Sequence, residues 1–461
     1  MIAAILLAAA PAWTEVPGAS ILEAQVEGTI VAWLPTEAAD GRREIVLVVR
    51  QDPGGEQRLL RLSLDPARPG VSPLAAPPLP REATVLAPRL GAGTATTLVA
   101  SREGAIDRLD PTETPRWVPW ITDPALRTNR GIRFDRALDG APLVLAAGPG
   151  SLVAWRVDAS GTTRLPEAAI PVEVRRASNG LNVVSLPLVA IAGRLVTPPV
   201  AVGLERVRIY AADATAWPPA FETCWGRLPS PERVLDSAIV TLDGEPHAVV
   251  TTMDATKLEV FGEKRLRVFP LRSDRTRAGV EARLASETDM NLWQPATFVT
   301  RDLNGDGRDD LAIAYWKGLR SVKAAVEVRL ADGAGGFGPA RRTEVGLDED
   351  SPGWLGFDRD LDGDAVPDLA LVAGARLKAF RGRATADGRR VVEPRPYLDV
   401  PAGDPGGGGG FSISIGASGV DGGPVGGGTG VRVEDIDGDA APEVIVASGS
   451  TIRIIAPKRA P

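Results

Sequence analysis

A pair of short apolar segments, joined by a tight turn, recurs eight times along the chain of 461 residues. The pairs are residues 44–49 with 58–64, 97–101 with 105–109, 142–147 with 151–157, 199–202 with 206–210, 247–251 with 257–261, 310–314 with 325–330, 367–372 with 376–380, and 442–446 with 451–455. Neighbouring copies begin 45 to 75 positions apart. The segments are rich in β-branched and alternating apolar residues and are bounded by Gly, Pro and Asp, a pattern that is typical of β-strands. One repeat has room for about four such strands.

This repeat predicts an all-β fold, a single β-propeller over residues 13–461 with four-stranded antiparallel blades. The motif count gives eight blades, and seven blades stay open as an alternative. A strand within residues 21–34 is expected to pair with the last strand and close the ring, since closure removes exposed sheet edges. Three or four separate β-sandwiches are the competing architecture, but they would need linkers, and the repeat shows no such breaks.

The composition agrees with many short strands and excludes several classes of function. Gly (51) and Pro (40) make up about a fifth of the residues, which suits tight turns. A single cysteine, Cys224, and a single histidine, His247, leave no multi-cysteine zinc site and little histidine-based catalysis. With a net charge of −7 and no basic run, nucleic acid is not expected as a partner. We predict no catalytic residue.

Two segments of biased composition lie outside the repeat. Residues 1–12 (MIAAILLAAAPA) join an apolar stretch to a small-x-small pattern, which predicts a signal peptide cleaved after Ala12 and export to the periplasm, outer surface or extracellular space. An ordinary apolar N-terminus is the alternative. No stretch is long and apolar enough to predict a transmembrane span. Residues 403–430 are rich in glycine and predict a flexible insertion between the last two repeats.

Three acidic loops precede the later strands, at residues 302–310 (DLNGDGRDD), 360–368 (DLDGDAVPD) and 435–443 (DIDGDAAPE). All fit D-x-[DN]-G-D-x-x-x-[DE]. The predicted side-chain ligands at positions 1, 3, 5 and 9 are Asp302, Asn304, Asp306 and Asp310, then Asp360, Asp362, Asp364 and Asp368, then Asp435, Asp437, Asp439 and Glu443. The predicted carbonyl ligands at position 7 belong to Arg308, Val366 and Ala441. Such a set of hard oxygens predicts Ca²⁺, at about three sites.

Other interpretations of these loops are weaker. Mg²⁺ demands stricter octahedral geometry, and an EF-hand has its glycine at position 6 and its glutamate at position 12. Simple Asx-turns between strands are the alternative without a metal. The turns around Asp139 and Asp243 are shortened versions that lack the position 5 ligand, so we expect them to be free of metal. We expect His247 to be an ordinary residue at the start of a strand.

The three loops, together with the glycine-rich, phenylalanine-centred turn at residues 331–339, resemble the FG-GAP/VCBS repeats of integrin α-subunit-like propellers and many exported bacterial proteins. The resemblance is strong over residues 299–457 and weak before them. It implies calcium on the blades, held at the loop positions named above, and it implies the propeller fold.

For function, we expect a secreted or surface-exposed, non-enzymatic scaffold for binding or adhesion, monomeric, which recognises a protein or a glycan. A polysaccharide lyase on the same fold is one alternative, although the low lysine content and the lack of a histidine-centred site count against it. A lectin is another, because loop tryptophans could stack on sugars. Packing between blades is the more ordinary role for these tryptophans, which are Trp117, Trp120, Trp217, Trp225, Trp293 and Trp354.

Overall fold

The computed structural model describes the chain in segments. These are residues 11–37, 42–51, 55–80, 83–86, 97–102, 104–110, 115–127, 132–136, 142–147, 151–158, 161–169, 189–191, 194–196, 200–201, 206–212, 221–227, 232–254, 256, 264–270, 284–288, 297–317, 323–333, 336–346, 352–383, 391–403, 430–436, 439 and 441–459. Most of the predicted signal peptide and of the glycine-rich insertion lies outside the described residues.

The described residues are built from short strands with a single 3₁₀ turn, Pro124–Arg127, and contain no α-helix. The strands are β1 (Ala12–Val16), β2 (Ala19–Gln25), β3 (Thr29–Glu37), β4 (Arg43–Arg50), β5 (Gln57–Ser63), β6 (Gly70–Pro73), β7 (Thr84–Leu86), β8 (Val99–Arg102), β9 (Ala105–Asp110), β10 (Arg116–Thr122), β11 (Ile132–Arg136), β12 (Pro142–Ala147), β13 (Ser151–Asp158), β14 (Gly161–Arg164), β15 (Ala168–Ala169), β16 (Val189–Ile191), β17 (Arg194–Val196), β18 (Val200–Ala201), β19 (Arg206–Ala212), β20 (Phe221–Arg227), β21 (Glu232–Leu242), β22 (Glu245–Asp254), β23 (Lys264–Pro270), β24 (Leu284–Thr288), β25 (Thr297–Arg301), β26 (Asp310–Lys317), β27 (Lys323–Arg329), β28 (Arg341–Gly346), β29 (Pro352–Arg359), β30 (Asp368–Ala373), β31 (Arg376–Phe380), β32 (Leu398–Pro401), β33 (Val431–Glu434), β34 (Glu443–Ser448) and β35 (Thr451–Pro457).

These strands form antiparallel sheets, which we number 1 to 8 along the chain. Sheets 1 to 4 contain β3–β6, β7–β10, β11–β15 and β16–β20, and sheets 5 to 7 contain β21–β24, β25–β28 and β29–β32. Sheet 8 has the order β1-β2-β35-β34-β33 and therefore combines both ends of the chain. Each sheet contains one of the predicted strand pairs, with a difference in sheet 5. There the predicted partner of residues 247–251 is residues 257–261, which lie outside the described part, and β22 pairs with β23.

Strand β30 shows why these sequences form stacked sheets. Its apolar run is buried on both faces, which is expected of a strand between two other layers. Leu369 and Leu371 point into the cluster shared with sheet 6, whereas Ala370 and Val372 point into the cluster shared with sheet 8. The two-residue alternation of a strand therefore supplies both interfaces of one sheet.

The same kind of buried cluster joins most neighbouring sheets. Clusters join sheet 1 to 2, 2 to 3, 5 to 6, 6 to 7, 7 to 8, and 8 back to 1. Between sheets 4 and 5, strands β18 and β21 are in contact. Sheet 8 thus packs on the last sheet before it and on the first sheet of the chain, which is the circular arrangement of a β-propeller. The predicted fold class is confirmed.

Strand β2 closes this ring. Its residues pair with β35 in an antiparallel register that runs from Ala19 opposite Pro457 to Gln25 opposite Thr451. The predicted closing strand within residues 21–34 is therefore confirmed, although the strand starts two positions earlier. The count of eight blades stays a prediction, because residues 170–188, which connect sheets 3 and 4, lie outside the described part.

Within the described ranges, no helix has the length and apolar character needed to cross a membrane.

Candidate metal centre

The three acidic loops occupy the same place in three consecutive sheets. Loop 1 (residues 302–310) connects β25 to β26 in sheet 6, loop 2 (residues 360–368) connects β29 to β30 in sheet 7, and loop 3 (residues 435–443) connects β33 to β34 in sheet 8. Each loop follows a strand at one edge of its sheet, and its position 9 residue is the first residue of the adjacent strand. The loops are therefore structural repeats as well as sequence repeats.

An apolar residue at position 2 anchors each loop to the core. Leu303, Leu361 and Ile436 are all buried. Each belongs to the cluster between its own sheet and the next one along the ring. The prediction that this side chain points into the sheet interior is confirmed.

The acidic residue at position 9 ties the loop together. Its carboxylate accepts the backbone N–H of position 2 in all three loops, at 3.0 Å in Asp310, 2.9 Å in Asp368 and 2.9 Å in Glu443. In the first two loops the other carboxylate oxygen accepts an N–H from the end of the next hairpin, from Ala331 and from Gly382, both at 2.8 Å. Position 9 is thus a structural acceptor, a role that the sequence pattern did not reveal.

The carboxylate at position 1 organises the turn of the loop. Asp302 accepts the N–H groups of residues 304 to 307, and Asp360 accepts those of residues 363 to 365. The bonds to Gly307 and its neighbours hold the pKa of Asp302 below its usual value. At position 4, Gly305 and Gly363 have φ of 82° and 84°, so the glycines predicted to permit the tight turn do adopt the left-handed conformation.

Loop 2 brings three of its predicted ligands together. Asp360, Asp362 and Asp368 each offer a carboxylate oxygen, and these oxygens all lie within 4.8 Å of one another. Asp362 is only 2% exposed, and its Oδ2 lies 2.7 Å from Nε of Arg381. Asp364 lies outside this group and accepts the N–H of Val366 at 2.8 Å. Carboxylate oxygens grouped in this way are the donors that a hard cation such as Ca²⁺ takes.

The electrostatics of loop 2 reflect this crowding. Burial raises the pKa of Asp368 to about 6. Burial, together with the charge of Asp364, also raises the pKa of Asp362. Tyr397 donates its phenol O–H to Asp368 Oδ2 at 2.9 Å, and burial beside that carboxylate raises its own pKa. Close carboxylates in an apolar setting disfavour one another's charge, and a bound cation relieves that cost.

Loop 1 has the same backbone but a different distribution of side chains. The carboxylates of Asp302, Asp306 and Asp310 do not form a close group of the kind seen in loop 2. Asn304 instead donates to Asp306 Oδ2 at 3.2 Å and accepts the N–H of Asp306 at 3.0 Å. The side chain of Arg308 lies beside Gly333, in the predicted glycine-rich turn, so only its backbone is available to the loop.

Loop 3 is described in part, since Asp437, Gly438 and Ala440 lie outside the described residues. Asp439 accepts the N–H of Ala441 at 2.7 Å, which is the bond that positions 5 and 7 make in the other loops. Arg43 from sheet 1 lies 3.5 Å from Asp435 Oδ1. Arg459 donates to the carbonyl of Asp439 at 2.6 Å.

The shortened turn of sheet 5 lies against loop 1. Asp243 and Gly244 connect β21 to β22 with φ of 51° and 75°, which is the type I′ pattern of a two-residue hairpin. Asp243 and Asp309 each accept the backbone N–H of the other, at 3.1 and 2.8 Å. His247 is buried within β22. The related turn around Asp139 lies outside the described residues.

The prediction that the tryptophans lie in loops is wrong for the three whose side chains are described, because Trp117 and Trp120 belong to β10 and Trp354 belongs to β29. All three pack between sheets, since a large aromatic side chain on a strand faces the neighbouring sheet. Trp117, Trp120 and Trp354 lie against three different core clusters, and Trp117 also donates its indole N–H to the carbonyl of Pro77 at 3.0 Å. This is the ordinary role expected for them. Trp217 and Trp293 lie outside the described residues, as does the side chain of Trp225.

No model of a known protein family matches this chain, and neither does any curated protein sequence. Solved structures do match. The Dos1 propeller has a TM-score of 0.43 at 9% identity, covering 95% of this chain and 96% of that one. An Agrocybe aegerita lectin that recognises terminal N-acetylglucosamine has a TM-score of 0.38 at 11% identity, covering 86% and 94%. Drosophila semaphorin 1a, domains 1–2, has a TM-score of 0.33 at 9% identity, covering 76% and 86%. The propeller assignment rests on the sheet order and ring closure of this chain itself.

Proposed function

We propose that this protein is an exported, calcium-binding β-propeller that acts as a non-enzymatic scaffold for binding a protein or a glycan. The observation that carries the metal part is the group of Asp360, Asp362 and Asp368, with oxygens within 4.8 Å of one another. The resemblance of the three loops to FG-GAP/VCBS repeats supports the same chemistry for loops 1 and 3. Calcium would be structural, because the loops are tied into the sheet ends through their position 9 carboxylates.

The residues present fit such an ion. The donors are carboxylate oxygens, which Ca²⁺ prefers, and one of them belongs to the buried Asp362. In loop 2, Asp360, Asp362, Asp364 and Asp368 would hold the ion with the carbonyl of Val366. Asp360 and Asp368 would keep their bonds to backbone N–H groups, since each carboxylate oxygen has a second lone pair.

The decisive measurement is calcium binding by the full chain. We expect dialysis against Ca²⁺ followed by elemental analysis to find about three ions, with Mg²⁺ a poor competitor. An ion at ~100 times its dissociation constant adds roughly 2.7 kcal/mol per site to the free energy of unfolding, so the melting temperature is expected to fall in chelator. Asp360→Ala should remove one ion. Asp399→Ala, in the same sheet but ion-paired with Arg376, is the matched control.

The absence of bound calcium, together with a melting temperature that does not change in chelator, would contradict the proposal.

Export is tested separately, by sequencing the N-terminus of the mature protein, which we expect to begin at Trp13. The binding role is tested by calcium-dependent capture of glycans on an array or of envelope proteins. Formation of unsaturated products from uronic-acid polysaccharides would make the protein a lyase instead.

A further inference from the structure

Loop 2 differs from loop 1 in two residues that lie side by side in space. Position 3 is Asn304 in loop 1 and Asp362 in loop 2. The second difference is at the end of the neighbouring strand, where Leu330 precedes Ala331 and Arg381 precedes Gly382. These two places are equivalent, because Ala331 and Gly382 each donate their N–H to the position 9 carboxylate at 2.8 Å. The carboxylate that loop 2 has at position 3 is therefore accompanied by a guanidinium at a place where loop 1 has a leucine.

The guanidinium of Arg381 is placed on that extra carboxylate. Its Nε lies 2.7 Å from Asp362 Oδ2, and its Cζ lies 5.3 Å from the ring centre of Tyr397. Tyr397 in turn donates to Asp368, so Arg381 rests on a side chain that is itself fixed to the loop. The Arg381 side chain is 40% exposed, whereas that of Asp362 is 1% exposed. The arginine thus covers the buried carboxylate from the solvent side.

Arg381 and a cation would act on the same carboxylate. Asp362 belongs to the close group of three aspartates, and its Oδ1 accepts no hydrogen bond from the described residues. A buried carboxylate without a positive partner is costly, so the arginine stabilises the loop without metal. The same positive charge repels a divalent ion that uses Asp362 as a ligand.

We propose that Arg381 sets the calcium affinity of loop 2. When calcium is absent, the guanidinium neutralises the charge of Asp362; when calcium is present, the guanidinium competes with the ion for that carboxylate. This inference rests on the proposed function for the existence of the site. Because of this competition, loop 2 binds calcium with lower affinity and releases it faster than its four aspartates would without the arginine.

The first test compares calcium binding by the full-length wild type and Arg381→Leu, which copies the residue of loop 1. The loop 2 step in a calcium titration is identified as the one that Asp360→Ala removes. We expect Arg381→Leu to lower the dissociation constant of that step about tenfold. The variant removes one positive charge that repels the divalent ion, at a site where partial exposure to water weakens the repulsion. Arg376→Leu removes an ion pair of 2.6 Å with Asp399 from the other end of β31, and we expect it to leave the constant unchanged.

The second test is thermal stability, which separates competition from simple packing. In chelator, Arg381→Leu should melt below the wild type, because Asp362 loses its positive partner. In saturating calcium the difference should disappear or reverse, because the ion supplies the charge. A merely structural arginine would lower the melting temperature equally in both conditions. Should Arg381→Leu fail to fold without calcium, the double variant Asp362→Asn with Arg381→Leu reproduces the pair found in loop 1 and is expected to fold and to bind calcium.

The outcomes distinguish this inference from the proposed function. Calcium binding by the wild type with an unchanged loop 2 constant in Arg381→Leu would overturn the role of Arg381 and leave the calcium scaffold standing. Equal destabilisation with and without calcium would overturn it as well. Failure of both the wild type and the variant to bind calcium would overturn both proposals.

Discussion

At the scale of single residues, position 6 of the loops carries a conformational requirement that the motif does not state. Gly307 has φ of 81° and Ala365, in the same place of loop 2, has φ of 68°. A residue with a Cβ atom is strained in this left-handed region by roughly 1–2 kcal/mol. Loop 2 therefore stores strain that loop 1 avoids, and comparison of the two loops was the signal that could have revealed it.

Exchanging the two residues should have opposite effects. Ala365→Gly is expected to raise the free energy of unfolding by about 0.5–1 kcal/mol, because the relief of strain exceeds the added entropy of the unfolded chain. Gly307→Ala should lower it by about 1 kcal/mol, through the backbone alone, since nothing lies within 4 Å of the added Cβ. Denaturant unfolding measures both. At Gly346 an added Cβ also meets nothing within 4 Å, but φ lies outside the left-handed region, so Gly346→Ala should not be destabilising. If Gly346→Ala lowered the free energy of unfolding as much as Gly307→Ala, the strain argument would be contradicted.

At the scale of an element, the acidic loop and the next hairpin behave as one unit. Asp310 is fully buried and accepts the N–H groups of Leu303 and Ala331, which come from different segments. The same arrangement recurs at Asp368 in loop 2. The position 9 acid therefore has a structural role that does not depend on an ion.

Asp310→Ala separates that role from metal binding. We expect it to lower the free energy of unfolding by about 2–4 kcal/mol even in chelator, because two buried N–H groups lose their acceptor. Asp306→Ala should cost less than about 1 kcal/mol in chelator, because the two exposed groups that donate to this carboxylate, the backbone N–H of Arg308 and the side-chain amide of Asn304, can turn to water. Denaturant titrations in chelator test the difference. If the two variants were equally stable there, the acceptor role of Asp310 would be wrong.

At the scale of the whole molecule, stability depends on the joining of the chain ends. Leu22 of β2 lies opposite Ile454 of β35, and both are fully buried in the cluster between sheets 8 and 1. The first sheet of the chain therefore packs on a layer that needs both termini. Loss of the closing strand would expose the edge of β35 and open the ring.

Shortening either partner should weaken the entire propeller. Leu22→Ala and Ile454→Ala are each expected to cost about 2–5 kcal/mol, and the double variant less than the sum, because the two side chains share one contact. Glu23→Ala, which removes a partly exposed ion pair with Arg453 on the same two strands, should cost about 1 kcal/mol or less. Calorimetry should show one transition that shifts as a unit. A separate early transition in Leu22→Ala would mean that β2 detaches on its own.

Much of the site was evident from the order of residues. The ligand types, the glycine at position 4 and the buried apolar residue at position 2 are all set within nine consecutive positions, where local backbone geometry decides the outcome. Arg381 and Tyr397 could not be found in this way. Tyr397 lies 29 positions from the Asp368 it contacts, and only the pairing of β30, β31 and β32 brings these side chains to loop 2.

The amino-acid sequence by itself determined a pair of strands in most repeats and the grouping of these pairs, because alternation of apolar residues and turn chemistry act over short distances. It also indicated closure by an N-terminal strand, since closure removes exposed sheet edges. Only the tertiary structure decided which carboxylates meet, which of them are buried, and which positive charge each one faces. The reason is that burial and charge pairing depend on neighbouring sheets, and a sheet acquires its neighbours only when the ring assembles.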